Sequence, residues 1–296
     1  MIDTRLIRVI RPHIVAGGLL GYIVGVLYAL NLGGELRWTR LVTGYLVILF
    51  IDLSTHFNNN YYDVEIDKRA SFKPFGSENI LVENPELRQP ALITAVTFTI
   101  ISLILAAAMV LTGTSLLLLA FTVTFNALGW LYSTPQVRLH SRRLGEATIA
   151  LGTGLCIPAV GYMAVSGRID QRILLFSVPL ILYGFMLSLS LQIPDYEVDR
   201  EMGKNTIVGL IGRKNTYILV LLSALTATAT YLLSPVQIPN MRIILLASLL
   251  PAASSLYTSL SLTESSEDAR KYTKINITSL FIFLTAIDLA LILDLI

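Results

Sequence analysis

Two short acidic stretches, FNNNYYDVEIDK (Phe57–Lys68) and LQIPDYEVDREMGK (Leu191–Lys204), carry residues whose types and spacing could do chemistry. In each, an amide (Asn60, Gln192) is followed three residues on by an aspartate (Asp63, Asp195), and four further on by another (Asp67, Asp199). On a helix, positions i, i+3 and i+7 share a face, so each stretch predicts one stripe of an amide and two carboxylates. Carboxylates one turn apart repel each other, and surroundings poor in water screen that repulsion weakly. A divalent cation resolves the conflict. Mg2+ suits it, being a hard ion that takes carboxylate oxygens and keeps positions open for phosphate oxygens. Two facing pairs would hold such ions around a pyrophosphate. No Ca2+-loop spacing is present. A solvated helix end, with acids and lysines marking an interface, is the plainer alternative. Two copies at equivalent places, each followed by basic residues (Lys68 and Arg69; Arg200 and Lys204), favour the chemical reading.

The elements that must position these residues are membrane helices. Of 296 residues, 54% are hydrophobic and 14% charged, against about 25% charged in a soluble domain. The apolar residues fall in blocks long enough to cross a bilayer, at about 12–31, 40–59, 90–111, 115–132, 146–165, 172–192, 215–233, 241–260 and 275–293. The expectation is an all-α polytopic membrane protein, one domain over residues 1–296. About nine spans would form two four-helix-like repeats around a central cavity, each repeat carrying half a site. Loops 2–3 and 6–7 would cap the cavity. Arg5, Arg8 and Arg11 precede a block that reads as a retained first helix rather than a cleaved leader. Of the 22 basic residues, only Arg37, Arg40, Arg168, Arg172 and Arg242 fall on one side of this topology. The positive-inside rule makes the other side, with the N-terminus and both acidic stretches, cytoplasmic. That predicts a multi-pass protein of the plasma membrane. Net charge is +2, which offers no electrostatic case for nucleic acid, and nothing in the chain points to a protein partner.

Other polar residues stand out against this background. Tyr132-Ser133-Thr134-Pro135 leads into Arg138, Arg142 and Arg143; arginine forks suit phosphate, and also serve as plain cytoplasmic anchors. The stretch from about Tyr61 to Gln89 is long for a connection and predicts a lid. Asp52 and His56 lie inside the second span, on one stripe with Asn59 and Asp63. Ionisable residues within a span point to function by default; a buried hydrogen-bonded pair is the alternative. Asp288 reads as a packing or interfacial polar residue. The single cysteine, Cys156, reads as a small buried hydrophobe.

The whole chain resembles the UbiA-type intramembrane prenyltransferases. Their hallmarks are nine transmembrane helices, an NDxxDxxxD motif after the second helix and a DxxxD motif after the sixth. Here Asn59-Asn60-Tyr61-Tyr62-Asp63 through Asp67, and Asp195 through Asp199, stand at those places. Tyr132-Ser133-Thr134-Pro135 with Arg138 resembles the family's Y-S-x-P stretch, and Arg11-Pro12 its opening of the first helix. Asn60 occupies the place of the motif's first aspartate, which removes one negative charge.

The resemblance implies Mg2+-dependent transfer of a polyprenyl group from its diphosphate to a lipophilic acceptor. It implies Asn59, Asn60, Asp63, Asp67, Asp195 and Asp199 as metal ligands, with the four aspartates as the catalytic core. Lys68, Arg69, Arg138, Lys204 and Arg11 would bind diphosphate. Ionisation of the C1–O bond gives an allyl cation, which the faces of Tyr61, Tyr62, Tyr132 or Tyr196 would support unless these rings only mark the interface. Asp52 and His56 would orient the acceptor or take its proton. The Asn-Asn-Tyr-Tyr-Asp run looks menaquinone-like, so the expected acceptor is an aromatic quinone precursor of dihydroxynaphthoate type; a glycerol-phosphate ether lipid is the alternative. An ion-coupled transporter would place its acids near the bilayer midplane, whereas these lie at helix ends.

Overall fold

A chain that crosses lipid must satisfy its backbone within each segment, and the apolar blocks accordingly form long helices. The computed structural model describes residues 4–68, 79–261 and 263–296. Its long helices are α1 (Pro12–Asn31), α2 (Trp38–Tyr62), α3 (Arg88–Leu111), α4 (Leu117–Ser133), α5 (Gly145–Ser166), α6 (Gln171–Gln192), α7 (Ile207–Leu232), α8 (Met241–Ser261) and α9 (Ser266–Leu293). Among the described residues, eight helices are long and apolar enough to cross a membrane, and α4, at Leu117–Ser133, is shorter. No strand occurs among them. This is an all-α, multi-pass membrane protein.

Local sequence sets the helix ends. Pro12 opens α1, where its missing N–H costs nothing. Asp170, Thr206 and Ser265 cap α6, α7 and α9 by accepting the backbone N–H of Arg172, Gly209 and Asp268. The Thr206 cap starts α7 at Ile207, earlier than the apolar pattern alone implies, and so brings Arg213 and Lys214 out of a loop and into a helix. Within α5, Pro158 has no N–H to return to Gly154, and a π-turn spans Gly152–Cys156.

α1 packs against α5 and α9; α2 packs against α3 and α4; α6 packs against α5 and α7; α8 joins α7 to α9. The main core lies where α1, α5 and α6 meet, with Tyr28 stacked on Phe176 at 4.1 Å between ring centroids. Cys156 is buried there and unpaired. The outward faces of α3, α7 and α8 stay apolar, with Ile93, Ile104, Leu222 and Leu246 exposed, as a lipid-facing surface requires. A smaller core at the loop end joins Leu6, Val9, Phe57 and Val64 to Ile80, Leu81 and Leu87. The expected lid over residues 61–89 falls partly outside the described residues. What is described of it, the short helices Val64–Asp67 and Ile80–Glu83, is anchored in this second core.

Candidate active site

A single-stripe geometry for each acidic stretch requires an unbroken helix, and both helices break. α2 ends at Tyr62 and α6 at Gln192. Asp63 then has φ −90°, ψ 5°, and the short helix Val64–Asp67 follows. Asp195 has φ −91°, ψ 8°, and the short helix Tyr196–Glu201 follows. Both aspartates thus occupy the bridge region of backbone space, at matching joints between a long helix and a short one. Each short helix carries the second aspartate, Asp67 or Asp199, one turn further on.

The two joints open onto one cavity of about 540 Å3. Asn59, Asp63, Asp67, Gln192, Asp195, Asp199, Lys204 and Arg11 line its polar wall, with Tyr132, His140 and Thr206 beside them. The rest of the wall is apolar, formed by Gly17, Gly21, Ile48, Leu180, Tyr183, Phe281 and Phe283 among others. Asp52 and His56 lie between these regions, with His56 Nε2 3.4 Å from Asp52 Oδ1. His56 is buried, and neither ring nitrogen has a hydrogen-bond partner among the described residues.

The three consecutive asparagines do three different jobs. Asn58 is fully buried and donates to the Gly129 and Trp130 carbonyls, tying α2 to α4. Asn59 faces the cavity, and its Oδ1 accepts from Ser133 Oγ at 2.9 Å. Asn60 turns away: it donates to the His56 carbonyl at 2.8 Å and does not line the cavity. Its backbone carbonyl accepts from Asn79 Nδ2 at 2.7 Å. The cavity-facing stripe of α2 is Asp52, His56, Asn59 and Asp63, and Asn60 lies one step round the helix from it, so the expected stripe of Asn60, Asp63 and Asp67 reaches the cavity without its amide.

Each aspartate pair has its own supports. Ser133 Oγ also donates to Asp63 Oδ2 at 3.3 Å, and His140 Nε2 lies 3.7 Å from Asp63 Oδ1. Burial, with the charges of Lys204 and Arg138 added, pushes the His140 pKa down to about 3, so it meets Asp63 as a neutral imidazole. Asn79 Nδ2 donates to Asp67 Oδ2 at 2.7 Å. In the second pair, Lys204 Nζ lies 2.7 Å from Asp199 Oδ1. Burial works against the lysine's charge, but Asp199, with Asp63 and Asp195 behind it, outweighs that and holds the ammonium above the usual lysine range. Gly203, at φ 69°, makes the left-handed turn that returns Lys204 to Asp199.

Not every expected phosphate ligand reaches the cavity. Lys68 is exposed and pairs with Glu65 at 3.0 Å. Arg138 is exposed, in a left-handed conformation outside the cavity. Arg69 lies outside the described residues. Tyr132 reaches the cavity, while Tyr61, Tyr62 and Tyr196 do not line it. Spacing along the chain did not single out His140, Asn79 or Arg213. Asn79 and Arg213 meet the site from distant segments, and only the proximity of His140 to the Tyr132 stretch offered a clue.

The donor set fits Mg2+ in kind: carboxylate and amide oxygens, on two walls of one cavity. Among the described residues, no three His, Cys, Asp or Glu side chains cluster tightly enough to hold an ion alone.

Comparison with known proteins gives the same picture. A family model, the UbiA prenyltransferase family, matches residues 19–285. Solved structures share the fold. A UbiA homolog from Archaeoglobus fulgidus bound to GPP and Mg2+ is 17% identical over 96% of this chain and 99% of its own, with TM-score 0.66. A UbiA homolog from Aeropyrum pernix, without ligand, is 15% identical over 95% and 99%, with TM-score 0.69. A digeranylgeranylglyceryl phosphate synthase is 18% identical over 94% and 92%, with TM-score 0.67. No curated protein sequence matches.

Proposed function

This chain belongs to the UbiA prenyltransferase family, and from that premise we propose that it transfers a polyprenyl group from polyprenyl diphosphate to an aromatic quinone precursor of dihydroxynaphthoate type. The observation that carries the reading is the pair of matched joints, whose aspartates share one cavity with an otherwise apolar wall. A lipid tail rests against that wall while its charged head meets the acids through cations. The A. fulgidus relative's complex with GPP and Mg2+ supports the same assignment.

Asp63, Asp67, Asp195 and Asp199, with Asn59, are the residues that would hold Mg2+. Bound there, Mg2+ supplies Lewis-acid stabilisation of the departing diphosphate's charge. Lys204 and Arg11, both on the polar wall, bind diphosphate oxygens and add positive charge where negative charge develops. The C1–O bond breaks with its electron pair leaving on diphosphate. Tyr132 presents its ring to the resulting allyl cation. A ring carbon activated by the acceptor's hydroxyl attacks C1. The C–H bond at that carbon then breaks to restore the aromatic ring, and Asp52 with His56 orients the hydroxyl and takes the proton released. The apolar wall excludes the water that would quench the cation. The active-site loops face the cytoplasm, a reading supported by the distribution of basic residues, and the membrane proposed is the plasma membrane.

Purified protein in nanodiscs, incubated with radiolabelled geranylgeranyl diphosphate, Mg2+ and an acceptor panel, tests the reading. The expected result is a prenylated dihydroxynaphthoate that disappears with EDTA. A prenylated product formed only on a glycerol-phosphate ether lipid would overturn the acceptor assignment and leave the transfer reaction standing. Absence of any Mg2+-dependent product or diphosphate binding in folded protein would overturn the reading altogether.

A further inference from the structure

Arg213 follows a break in α7. Gly212 has φ 79°, ψ 165°, a backbone state open to glycine and strained for other residues. Beyond the break Arg213 is 1% exposed, and a guanidinium buried to that degree must be fully paired. Nε donates to the Ile193 carbonyl at 3.0 Å, and Nη2 to the Pro194 carbonyl at 3.2 Å and to Ser266 Oγ at 2.7 Å. Nη1 and Nη2 fork onto the Glu197 carboxylate, and Nη1 also reaches the Glu264 carbonyl. Ser266 Oγ in turn donates to Glu197 Oε2 at 3.0 Å. The guanidinium carbon lies 5.5 Å from the centre of the Tyr196 ring.

These partners surround the second aspartate pair without being part of it. Ile193 and Pro194 offer carbonyls left over where α6 ends. Glu197 lies midway between Asp195 and Asp199. At 3.6 residues per turn it is about 200° around the short helix from Asp199, and unlike Asp195 and Asp199 it does not line the cavity. Arg213 grips Glu197 and ties it to α7 and to the start of α9. The contacts of the first pair come from other elements: Asn79, Ser133 and His140.

We propose that Arg213 is a positioning residue for the second half-site: through its fork with Glu197 and its bonds to the turn at 193–194, it sets the direction of Asp195 and Asp199 toward Mg2+ and diphosphate. The inference rests on the diphosphate-clamp reading above. Lysine keeps the charge but cannot form the fork or span the carbonyls. Supporting groups behind metal ligands typically change metal affinity by about 10–100-fold. Arg213→Lys is therefore expected to raise the Kd for geranylgeranyl diphosphate in Mg2+, and the Mg2+ concentration for half-maximal binding, by about that factor. Acceptor KM stays at the wild-type value. Backbone amides of residues 193–199 exchange hydrogen faster, while those of Val64–Asp67 do not.

The test is equilibrium binding of radiolabelled geranylgeranyl diphosphate across a Mg2+ titration, with hydrogen exchange in parallel, on wild type, Arg213→Lys and Glu197→Gln. Glu197→Gln is nearly isosteric and carries the test if Arg213→Lys does not fold; the same shift in Mg2+ dependence is expected. Folded variants that lose thermal stability but bind with the wild-type Kd and Mg2+ dependence would make the network scaffolding and overturn the proposal. Wild-type protein that binds no diphosphate in Mg2+ would overturn the functional reading, and this proposal with it.

Discussion

Asp63 and Asp195 sit at joints of nearly identical backbone geometry, φ −90°, ψ 5° and φ −91°, ψ 8°, yet their surroundings differ in kind. The first pair meets the Ser133 hydroxyl, the Asn79 amide and an uncharged His140. Around the second the contacts are cationic: Lys204 on Asp199, and Arg213 behind the segment. A lysine in direct contact offsets part of the repulsion that Asp199 feels from its neighbouring carboxylates. The comparison teaches that a repeated motif repeats its joint but not its electrostatics. The second half-site, with Lys204 and Arg213 in place, should stay ordered without Mg2+.

Removing ligands gives the largest expected effect. Asp63→Ala and Asp195→Ala should each lower kcat by at least about 100-fold, the scale of losing electrostatic stabilisation of a leaving group, in steady-state assays on folded protein. If only one of them did so, the two joints would not be equivalent.

The next effect separates the supports. In Mg2+-free protein, Lys204→Met leaves Asp199 buried without its cation, at a cost of about 3–5 kcal/mol. Asn79→Ala removes no charge but loses the bonds to Asp67 and to the Asn60 carbonyl and the cap on the Leu81 N–H, each worth about 1–3 kcal/mol. Thermal unfolding with and without Mg2+ should show the ion rescuing Lys204→Met more strongly than Asn79→Ala. Equal losses and equal rescue would erase the proposed asymmetry.

How much of this was legible in the sequence follows from the range of each interaction. Helix content and the position of the acids came from local hydropathy and spacing, which survive folding. The break at Asp63 did not, because no proline or glycine marks it. The i, i+3 spacing to Asp63 puts Asn60 on the metal face, whereas its neighbour Asn59 takes that place and Asn60 turns toward the His56 carbonyl. Pro194 at the second joint was a visible warning that the helix ends there. Arg213 read as one more loop cation, since its partners Ile193, Pro194, Glu197, Glu264 and Ser266 are far along the chain. Asn79 reaches Asp67 across a long connection, which no periodicity reveals.

Asp52 and His56 belong to neither half. Asp52→Asn should lower kcat/KM for the acceptor by about 100-fold, at the low end for loss of a general base, with the KM for prenyl diphosphate unchanged. A parallel rise in diphosphate KM would place Asp52 in the clamp instead.

The smallest effect is a pH slope. His140 has its pKa lowered to about 3 in the fold, against about 6.5 when unfolded. Between those values the unfolded state binds more protons, so stability is lost as pH falls below about 6.5. His140→Gln should flatten that slope in thermal unfolding between neutral and mildly acidic pH. An unchanged slope would mean that His140 does not enter the fold as a neutral imidazole beside Asp63.

The central claim is that both halves together hold one Mg2+–diphosphate head. The most direct measurement is binding of radiolabelled geranylgeranyl diphosphate, with and without Mg2+, to wild type and to the double variants Asp63→Ala/Asp67→Ala and Asp195→Ala/Asp199→Ala. The account predicts Mg2+-dependent binding that is lost in both variants. Binding that ignores Mg2+, or that persists when either pair is removed, would contradict it.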